Sequence, residues 1–335
     1  MTTNLRAAII GMGVGEQHIS GYEAGGKCEV VALCDIDPVK REAIRKKYPD
    51  RIVTADADEI LNSHNIDVVS IASYDNFHAD QIIKALRNGK HVFVEKPLCL
   101  TKEEAKAIRL ELSRHSELMI SSNLILRRYP RFIDLKARIG KNEFGRPFYI
   151  EADYEYGRIE KLTSGWRGQI PYYSVVLGGG VHMIDLLIWL FGDTVTEVSA
   201  MGNRIACDNT PFRYNDLVVA ILRFSSGLIA KVTCNFGCVL PHFHNLRLFG
   251  THATYINRPN KAEIFKSRVP DICPELIKTP YPGCVKGDMI PGFISAIIDH
   301  GKPDVDAEDI FRAISVCFAI EESVINNNIQ KVEYL

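Results

Sequence analysis

Residues 5–35, LRAAIIGMGVGEQHISGYEAGGKCEVVALCD, decide the fold. A short, largely apolar run, Leu5–Ile10, leads into Gly11-Met12-Gly13-Val14-Gly15, then a helix-like segment over Glu16–Glu23, then a Val-rich run, Glu29–Cys34, that ends at Asp35. Glycines placed between a strand and a helix let the backbone turn sharply and approach a pyrophosphate, whose charge then sits on the helix N-terminus. The usual spacing is G-x-G-x-x-G. Here Gly15 comes one position early and Glu16 stands where the third glycine belongs, so a loop one residue shorter is expected. Asp35 follows where a carboxylate accepts hydrogen bonds from the two hydroxyls of an adenosine ribose. A 2′-phosphate would meet like charge there, which points to NAD over NADP. Asp37 is better placed to cap the charged helix expected over Pro38–Tyr48.

Working outward, the alternation continues. Arg51–Thr54, Ile66–Ala72, His91–Val94 and Leu118–Ser121 read as strands; Phe77–Asn88 and Thr101–His115 read as helices, the latter opened by Thr101 with Glu104 at capping-box spacing. Strands that are continuous apolar runs are buried on both faces and need helices to cover them. The expectation is an α/β protein whose first domain, residues 1–122, is a doubly wound parallel Rossmann sheet. Residues 123–335 read differently. A helix near Arg131–Ile139 precedes alternating strands, Phe148–Tyr156, Leu217–Phe224 and Leu228–Asn235, the last two joined across Ser225-Ser226-Gly227. Tight glycine turns imply antiparallel pairing. One strong helix, Val181–Phe191, interrupts the strands, and two more, about Phe293–His300 and Ala307–Asn326, close the chain. Pro259–Gly287, with five prolines and little periodicity, is expected as a long loop.

The chain has 335 residues, 46% of them apolar, enough for two domains with substantial cores. Forty basic residues against 41 acidic ones give a net charge of −1, which argues against a globally basic nucleic-acid binder. No apolar run reaches the length of a membrane span, and the N-terminus lacks the order of a secretory signal. Nine scattered cysteines with no C-x-x-C suit reduced thiols in a cytoplasm. The partners expected are thus a small molecule, with neither nucleic acid nor membrane.

Glu95-Lys96-Pro97 ends a strand, and ligands of open α/β sheets bind outside the carboxyl ends of the strands. Lys96 is therefore a candidate to meet substrate. His182 and Asp185 lie three apart at the head of the apolar helix and share a face. Gly178-Gly179-Gly180 before them permits close approach. Tyr154, Tyr156, Arg158, Lys161, Trp166 and Arg167 crowd one segment, a composition suited to a sugar ring bearing an anionic group, or equally to a solvated loop. His242 and His244 have period-two spacing but no clear third ligand, so no metal site is assigned.

Taken together these segments resemble the Gfo/Idh/MocA family of oxidoreductases. The resemblance rests on the glycine loop ending in His18, on Asp35-Ile36-Asp37-Pro38, on Ile71-Ala72 followed by Asn76-Phe77-His78, on residues 85–97 (ALRNGKHVFVEKP), and on residues 180–187 (GVHMIDLL). It implies a Rossmann domain followed by an α/β domain with an open, mainly antiparallel mixed sheet that forms a homodimer or homotetramer contact. It also implies hydride transfer between a nicotinamide and a hydroxyl carbon of a sugar, cyclitol or nucleotide-sugar. Cofactor contacts then fall to Gly11, Met12, Gly13, Val14, Gly15, Asp35, Ala72, Asn76, His78, Glu95 and Lys96. Substrate contacts fall to Lys96, Arg128, Tyr156, Trp166, Arg167, Tyr173, His182 and Asp185, with Lys96 bonding the reacting oxygen and His182 exchanging its proton. Many members carry an Asp four residues before the His; this chain has Gly178, so either Lys96 and His182 suffice or Tyr172 or Tyr173 supplies a hydroxyl. Two alternatives fit the same resemblance: a redox-neutral enzyme that uses bound NAD transiently, and a non-catalytic dinucleotide-binding sensor.

Overall fold

The computed structural model describes residues 4–335. The chain divides into two compact units: the first holds residues up to Ile125 together with Val285–Phe311 and Leu335, the second holds Leu126–Cys284 and Arg312–Tyr334. A single boundary after residue 122, expected from the sequence, does not describe this division. The chain instead returns to its first unit at Val285, because Gly287 and Ile290 pack against Gly21 so closely that a Cβ on Gly21 would lie 2.4 Å from the Gly287 carbonyl oxygen.

The first unit contains a six-stranded parallel sheet: β1 (Leu5–Ile10), β2 (Cys28–Cys34), β3 (Ile52–Thr54), β4 (Val68–Ile71), β5 (His91–Val94) and β6 (Ile120–Ser122), in the order β3-β2-β1-β4-β5-β6. The order reverses between β1 and β4, which creates the crevice where dinucleotides bind. The interior of β1, β4 and β5 is buried on both faces, as the continuous apolar runs require. The segment expected as helix over Glu16–Glu23 is a 3-10 turn, Gly15–His18, that runs into the helix Ile19–Glu23. Asp37 caps the helix Pro38–Lys47 by accepting from the Val39 and Lys40 amides, and Thr101 and Glu104 form the full capping box of Lys102–Arg114. A short helix, Ala57–Leu61, had no periodic signal.

The second unit contains a nine-stranded sheet: β7 (Pro147–Glu155), β8 (Val195–Asn203), β9 (Leu217–Phe224), β10 (Ile229–Asn235), β11 (Phe243–Gly250), β12 (Thr254–Asn257), β13 (Ala262–Phe265), β14 (Glu275–Ile277) and β15 (Gln330–Lys331). Its order is β14-β13-β12-β11-β7-β10-β9-β8-β15, all antiparallel except β10 on β7. The hairpin across Ser225-Ser226-Gly227 pairs Ile229 with Arg223. Pro259–Gly287 is not one long loop: it carries β13 and β14, which are short and separated by prolines and so leave no periodicity. Buried Arg131, on the helix Pro130–Gly140, ties this segment down by donating to Asn257 Oδ1 and to the Arg258, Lys261 and Thr279 carbonyls.

Candidate functional site

The glycine loop is shaped by the strand beneath it. Gly11 has φ +90°, and a Cβ there would lie 2.2 Å from the Ala72 carbonyl oxygen. Gly15 touches the sheet, its missing Cβ 2.8 Å from Ile9 Cγ2, so it does fill the packing role of the displaced third glycine. Gly13 differs: a Cβ there would meet nothing nearer than Lys40 Nζ at 4.0 Å. Packing does not require that glycine; its bare backbone faces open space, as a diphosphate cradle needs. Asp35 is buried at the end of β2; it accepts from the Met12 amide (2.9 Å) and the Asp37 amide (2.9 Å), and Lys40 Nζ pairs with it at 3.4 Å. Two carboxylate oxygens offer about four acceptor sites, so capacity remains for ribose hydroxyls. Lys40, and Arg41 bonded to the Asp35 carbonyl, bring positive charge that the sequence reading did not place beside Asp35.

Beyond β4 the 3-10 turn Asp75–Phe77 presents Asn76, whose Oδ1 is buried and has no hydrogen-bond partner in the protein. That orphaned acceptor fits a nicotinamide ribose hydroxyl. The glycine cradle, Asp35 and Asn76 therefore suit NAD. His78, expected among the cofactor contacts, is fully buried with both ring nitrogens bonded inside the protein, Nδ1 to the Pro97 carbonyl (2.7 Å) and Nε2 to the Ser73 carbonyl (3.2 Å). Its part is to hold the turn at Lys96-Pro97, whose peptide is cis.

Glu95 is buried at the end of β5. His18 Nε2 lies 3.2 Å from its Oε1, Asn123 Nδ2 donates to the same oxygen at 2.7 Å, and His18 Nδ1 bonds Ser70 Oγ at 2.7 Å. Burial pushes the Glu95 carboxyl up, but the His18 hydrogen bond and the Lys286 and Lys96 charges outweigh it and hold it well below the usual carboxylate range. Glu95 is thus an ionised anchor that fixes the backbone from which Lys96 projects. Asn123 and Lys286 were not predicted. Asn123 follows directly after β6, so the crevice rule could have found it. Lys286, whose carbonyl accepts from Asn123 Nδ2 at 3.1 Å, comes from a distant segment that carries no signal.

In the second unit, the π-turn Val176–Gly180 runs into the helix Val181–Phe191 and delivers His182 and Asp185, both buried. The glycines are obligatory here. A Cβ at Gly179 would lie 2.6 Å from Tyr154 Cε1, at Gly180 2.3 Å from Cys234 Sγ, and at Gly178 2.2 Å from Tyr173 Oη. Asp185, expected to touch substrate, is clasped by Arg127, whose Nε and Nη2 reach its two oxygens at 3.0 and 2.6 Å. Both partners are buried, so Asp185 anchors the helix to Arg127.

His182 stacks on Tyr154, ring centroids 6.0 Å apart, and lies 6.4 Å from His244. His242 and His244 are themselves 4.8 Å apart and pack on Tyr154. His244 Nδ1 bonds Tyr281 Oη at 2.6 Å. Burial pushes the Tyr154 and Tyr281 phenols well above their usual value, so both remain neutral. His244 is thus a neighbour of His182 that the sequence did not reveal, with Tyr281 as its own hydrogen-bond partner; the alternation at 242 and 244 is visible, but its meeting with helix Val181–Phe191 depends on sheet register. Among the described residues no group of three or more ligating side chains is arranged to hold a metal.

The aromatic-basic segment is organised by stacking. The Arg158 guanidinium lies 5.4 Å over Tyr156, that of Arg167 lies 4.6 Å over Trp166, and Arg167 Nε donates to Tyr173 Oη at 3.1 Å. Arg128 is half-buried at the end of the turn Ile125–Arg128.

A family model described as "Oxidoreductase family, NAD-binding Rossmann fold" matches residues 5–122, and one described as "GFO/IDH/MocA C-terminal domain" matches residues 132–256. The chain is 30% identical over 263 residues to scyllo-inositol 2-dehydrogenase (NAD(+)) of Bacillus subtilis, covering 74% of this chain and 71% of that one. It is 26% identical over 242 residues to inositol 2-dehydrogenase of Salmonella typhimurium, covering 70% and 69%. Among solved structures, levoglucosan dehydrogenase in complex with NADH superposes with a TM-score of 0.87 at 22% identity, over 99% of this chain and 100% of that one. That likeness establishes the fold.

Proposed function

We propose a dehydrogenase of cyclitols or sugars: the chain belongs to the Gfo/Idh/MocA family of oxidoreductases and is an NAD-dependent enzyme acting on CH–OH groups. The observation that carries the substrate class is the likeness to scyllo-inositol 2-dehydrogenase over 74% of the chain. The reaction is the oxidation of a secondary ring hydroxyl to a ketone, with NAD+ becoming NADH and one proton released. When bound, NAD supplies the hydride acceptor.

The chain's own residues supply the rest. The backbone of Gly11–Gly15, with Met12 and Val14, receives the diphosphate, Asp35 the adenosine ribose, and Ala72 and Asn76 the nicotinamide ribose. Lys96 hydrogen-bonds the reacting oxygen and stabilises charge that develops on it as the proton leaves. His182 takes that proton, a task suited to an imidazole near neutral pH. Glu95, ionised through His18 and Asn123, holds the strand end from which Lys96 reaches out. Tyr156 and Trp166 offer ring faces to the apolar side of the substrate, and Arg128 and Arg167 offer donors to its hydroxyls. The test is turnover of purified protein with NAD+ and a panel of inositols, aldoses, anhydrosugars and nucleotide-sugars, followed by absorbance at 340 nm. Binding of NADH with no turnover of any of them overturns the dehydrogenase assignment.

Two further assignments belong to this proposal. The sheet face of β8, β9 and β10 carries Met201, Val219, Ile221 and Thr233, with Met201 73% and Ile221 44% exposed. Exposed apolar side chains on paired strands, here Met201 beside Val219 and Ile221 between Ser199 and Lys231, suit self-association into a homodimer or homotetramer. Ile221→Lys should lower the mass measured by light scattering. All nine cysteines are free thiols, which supports a cytoplasmic setting.

A further inference from the structure

The proposed reaction assigns no task to His242 and His244, which stand two apart at the head of β11. Both rings reach the same side of the sheet and pack on Tyr154, at 5.0 and 5.3 Å between centroids. Their own centroids lie 4.8 Å apart, and that of His244 lies 6.4 Å from His182. Hydrogen-bond chemistry fixes where each ring carries its proton. His242 Nδ1 lies 3.0 Å from the Glu155 carbonyl oxygen, which only accepts, so Nδ1 bears the hydrogen. In the neutral ring Nε2 is then an acceptor. At His244 the order is reversed. Its Nδ1 lies 2.6 Å from Tyr281 Oη, and its main-chain N–H donates to the same oxygen at 3.0 Å. The phenol is neutral, since burial pushes it well above its usual value, and it has one proton to give. Among the described residues His244 Nδ1 is the one acceptor for that proton, so Nδ1 is bare and Nε2 bears the hydrogen.

Two neighbouring imidazoles are thus locked in opposite tautomers, one presenting a lone pair and the other an N–H. Such a pair does not chelate a metal, which needs a lone pair from each ring. It matches a group that accepts and donates at once. A hydroxyl does both; a carbonyl or carboxylate only accepts, and an ammonium only donates. We infer that His242 and His244 form a matched acceptor–donor pair that holds a second hydroxyl of the substrate whose reacting hydroxyl lies at His182. That second hydroxyl donates to His242 Nε2 and accepts from the Nε2–H of His244. The inference rests on the reading of the protein as a dehydrogenase of polyols with His182 as the proton acceptor. Tyr281 and the Glu155 carbonyl set the polarity of the pair and are its positioning groups. A site built to bond a hydroxyl rejects an analogue that lacks it, because its polar atoms then lose their partner.

The test has two arms, and the first needs no turnover. In 15N-labelled protein at pH 8, where an imidazole is ordinarily neutral, long-range proton–nitrogen spectra report the tautomers. Assigned with His242→Gln and His244→Gln, they should show His242 protonated at Nδ1 and His244 at Nε2. Tyr281→Phe keeps the ring and removes the O–H; it should release the His244 tautomer and leave that of His242 unchanged. The second arm takes the substrate of the panel with the highest kcat/KM and replaces each non-reacting hydroxyl in turn by hydrogen and by fluorine, which cannot donate. One position should lose about tenfold or more in kcat/KM with either replacement. His242→Phe should abolish the discrimination at that position alone, mostly through KM. His242→Gln, whose amide oxygen still accepts, should retain part of it. Either ring in the opposite tautomer, no discriminating position, or a His242→Phe loss that is the same for every analogue overturns the inference. If panel compounds added with NADH shift both Nε2 resonances yet none is oxidised, the recognition role stands and the dehydrogenase assignment falls. If they neither shift the resonances nor turn over, both fall.

Discussion

The strand ends of the first unit and the helix head of the second bring polar groups together in opposite ways. At β5 the protein keeps charge: Glu95 is buried yet ionised, because His18, Asn123 and two lysines surround it. Around His182 it gathers neutral groups instead: Tyr154 and, beyond His244, Tyr281 are pushed up by burial, and His242 and His244 pack on Tyr154. The first arrangement fixes a backbone and a cation; the second leaves an imidazole among groups that can pass or share a proton without holding net charge. On the proposed function the contrast is that of a binding cradle and a proton-exchange pocket, and it breaks if the charge states are other than these.

The largest effect is expected at Glu95. Glu95→Ala would leave the buried donors of His18 and Asn123 without their acceptor, a loss on the order of 3 kcal/mol. Thermal melting should drop by several degrees, and Glu95→Gln, which keeps one acceptor oxygen, should recover part of it. The folded value of Glu95 is lowered, so its contribution is present above the ordinary carboxylate range and fades only as pH falls below that range toward its own value. An Ala variant as stable as the parent at pH 7 would mean the network is not a stabilising charge centre.

Next is Lys96→Ala. Turnover should fall by on the order of a hundredfold, about 2.7 kcal/mol. NADH affinity should change little, since the proposal gives that task to the glycine cradle and Asp35. Turnover that survives would remove the cation from the reaction and favour the sensor alternative. Third is Asp35→Ser. Charge-assisted hydrogen bonds contribute about 1.5–3 kcal/mol, so the preference of NADH over NADPH should narrow by that order in direct titrations. Lys40 and Arg41 beside Asp35 sharpen this expectation: once the carboxylate is gone, their charge is available to a 2′-phosphate.

These two regions were not equally legible in the sequence. The cradle is local: β1, the glycines and Asp35 lie within thirty-one residues, and each group acts through a turn whose geometry glycine or strand end dictates. Hence the sheet, its order-reversing crevice and the Gly15 displacement could be read directly. His182 could be singled out from its motif, but not its setting. Tyr154 and His244 meet it only because β7 pairs with both β10 and β11, and Tyr281 reaches His244 because the Pro-rich segment folds back through Arg131. His78 and Asp185 were assigned to ligands for a related reason. Both stand at ligand-facing ends of their elements, and only the structure reveals that protein groups, Pro97 and Arg127, already satisfy them.

The smallest effect tests the second region at its margin. Glu321, on the helix Ala307–Asn326, accepts hydrogen bonds from Tyr172 Oη and Ser174 Oγ, and so holds the segment that leads into Tyr173. Burial pushes its carboxyl up, and the two hydroxyls only partly hold it back. Here the sign is opposite to that of Glu95. A raised folded value means that the native state binds the proton more tightly than the unfolded chain. Stability therefore declines as pH rises from the ordinary carboxylate value through the raised one, and levels off above it. Glu321→Gln keeps one of the two oxygens that accept from the hydroxyls and removes the charge. Its urea midpoint should match or slightly exceed the parent's at pH 8, by less than about 1 kcal/mol, and should lose the parent's decline between acidic and neutral pH. A Gln variant clearly weaker than the parent at pH 8 would show that the ionised carboxylate is itself stabilising. The second region would then be a charge-keeping site like the first, and the contrast between cradle and pocket would no longer describe this molecule.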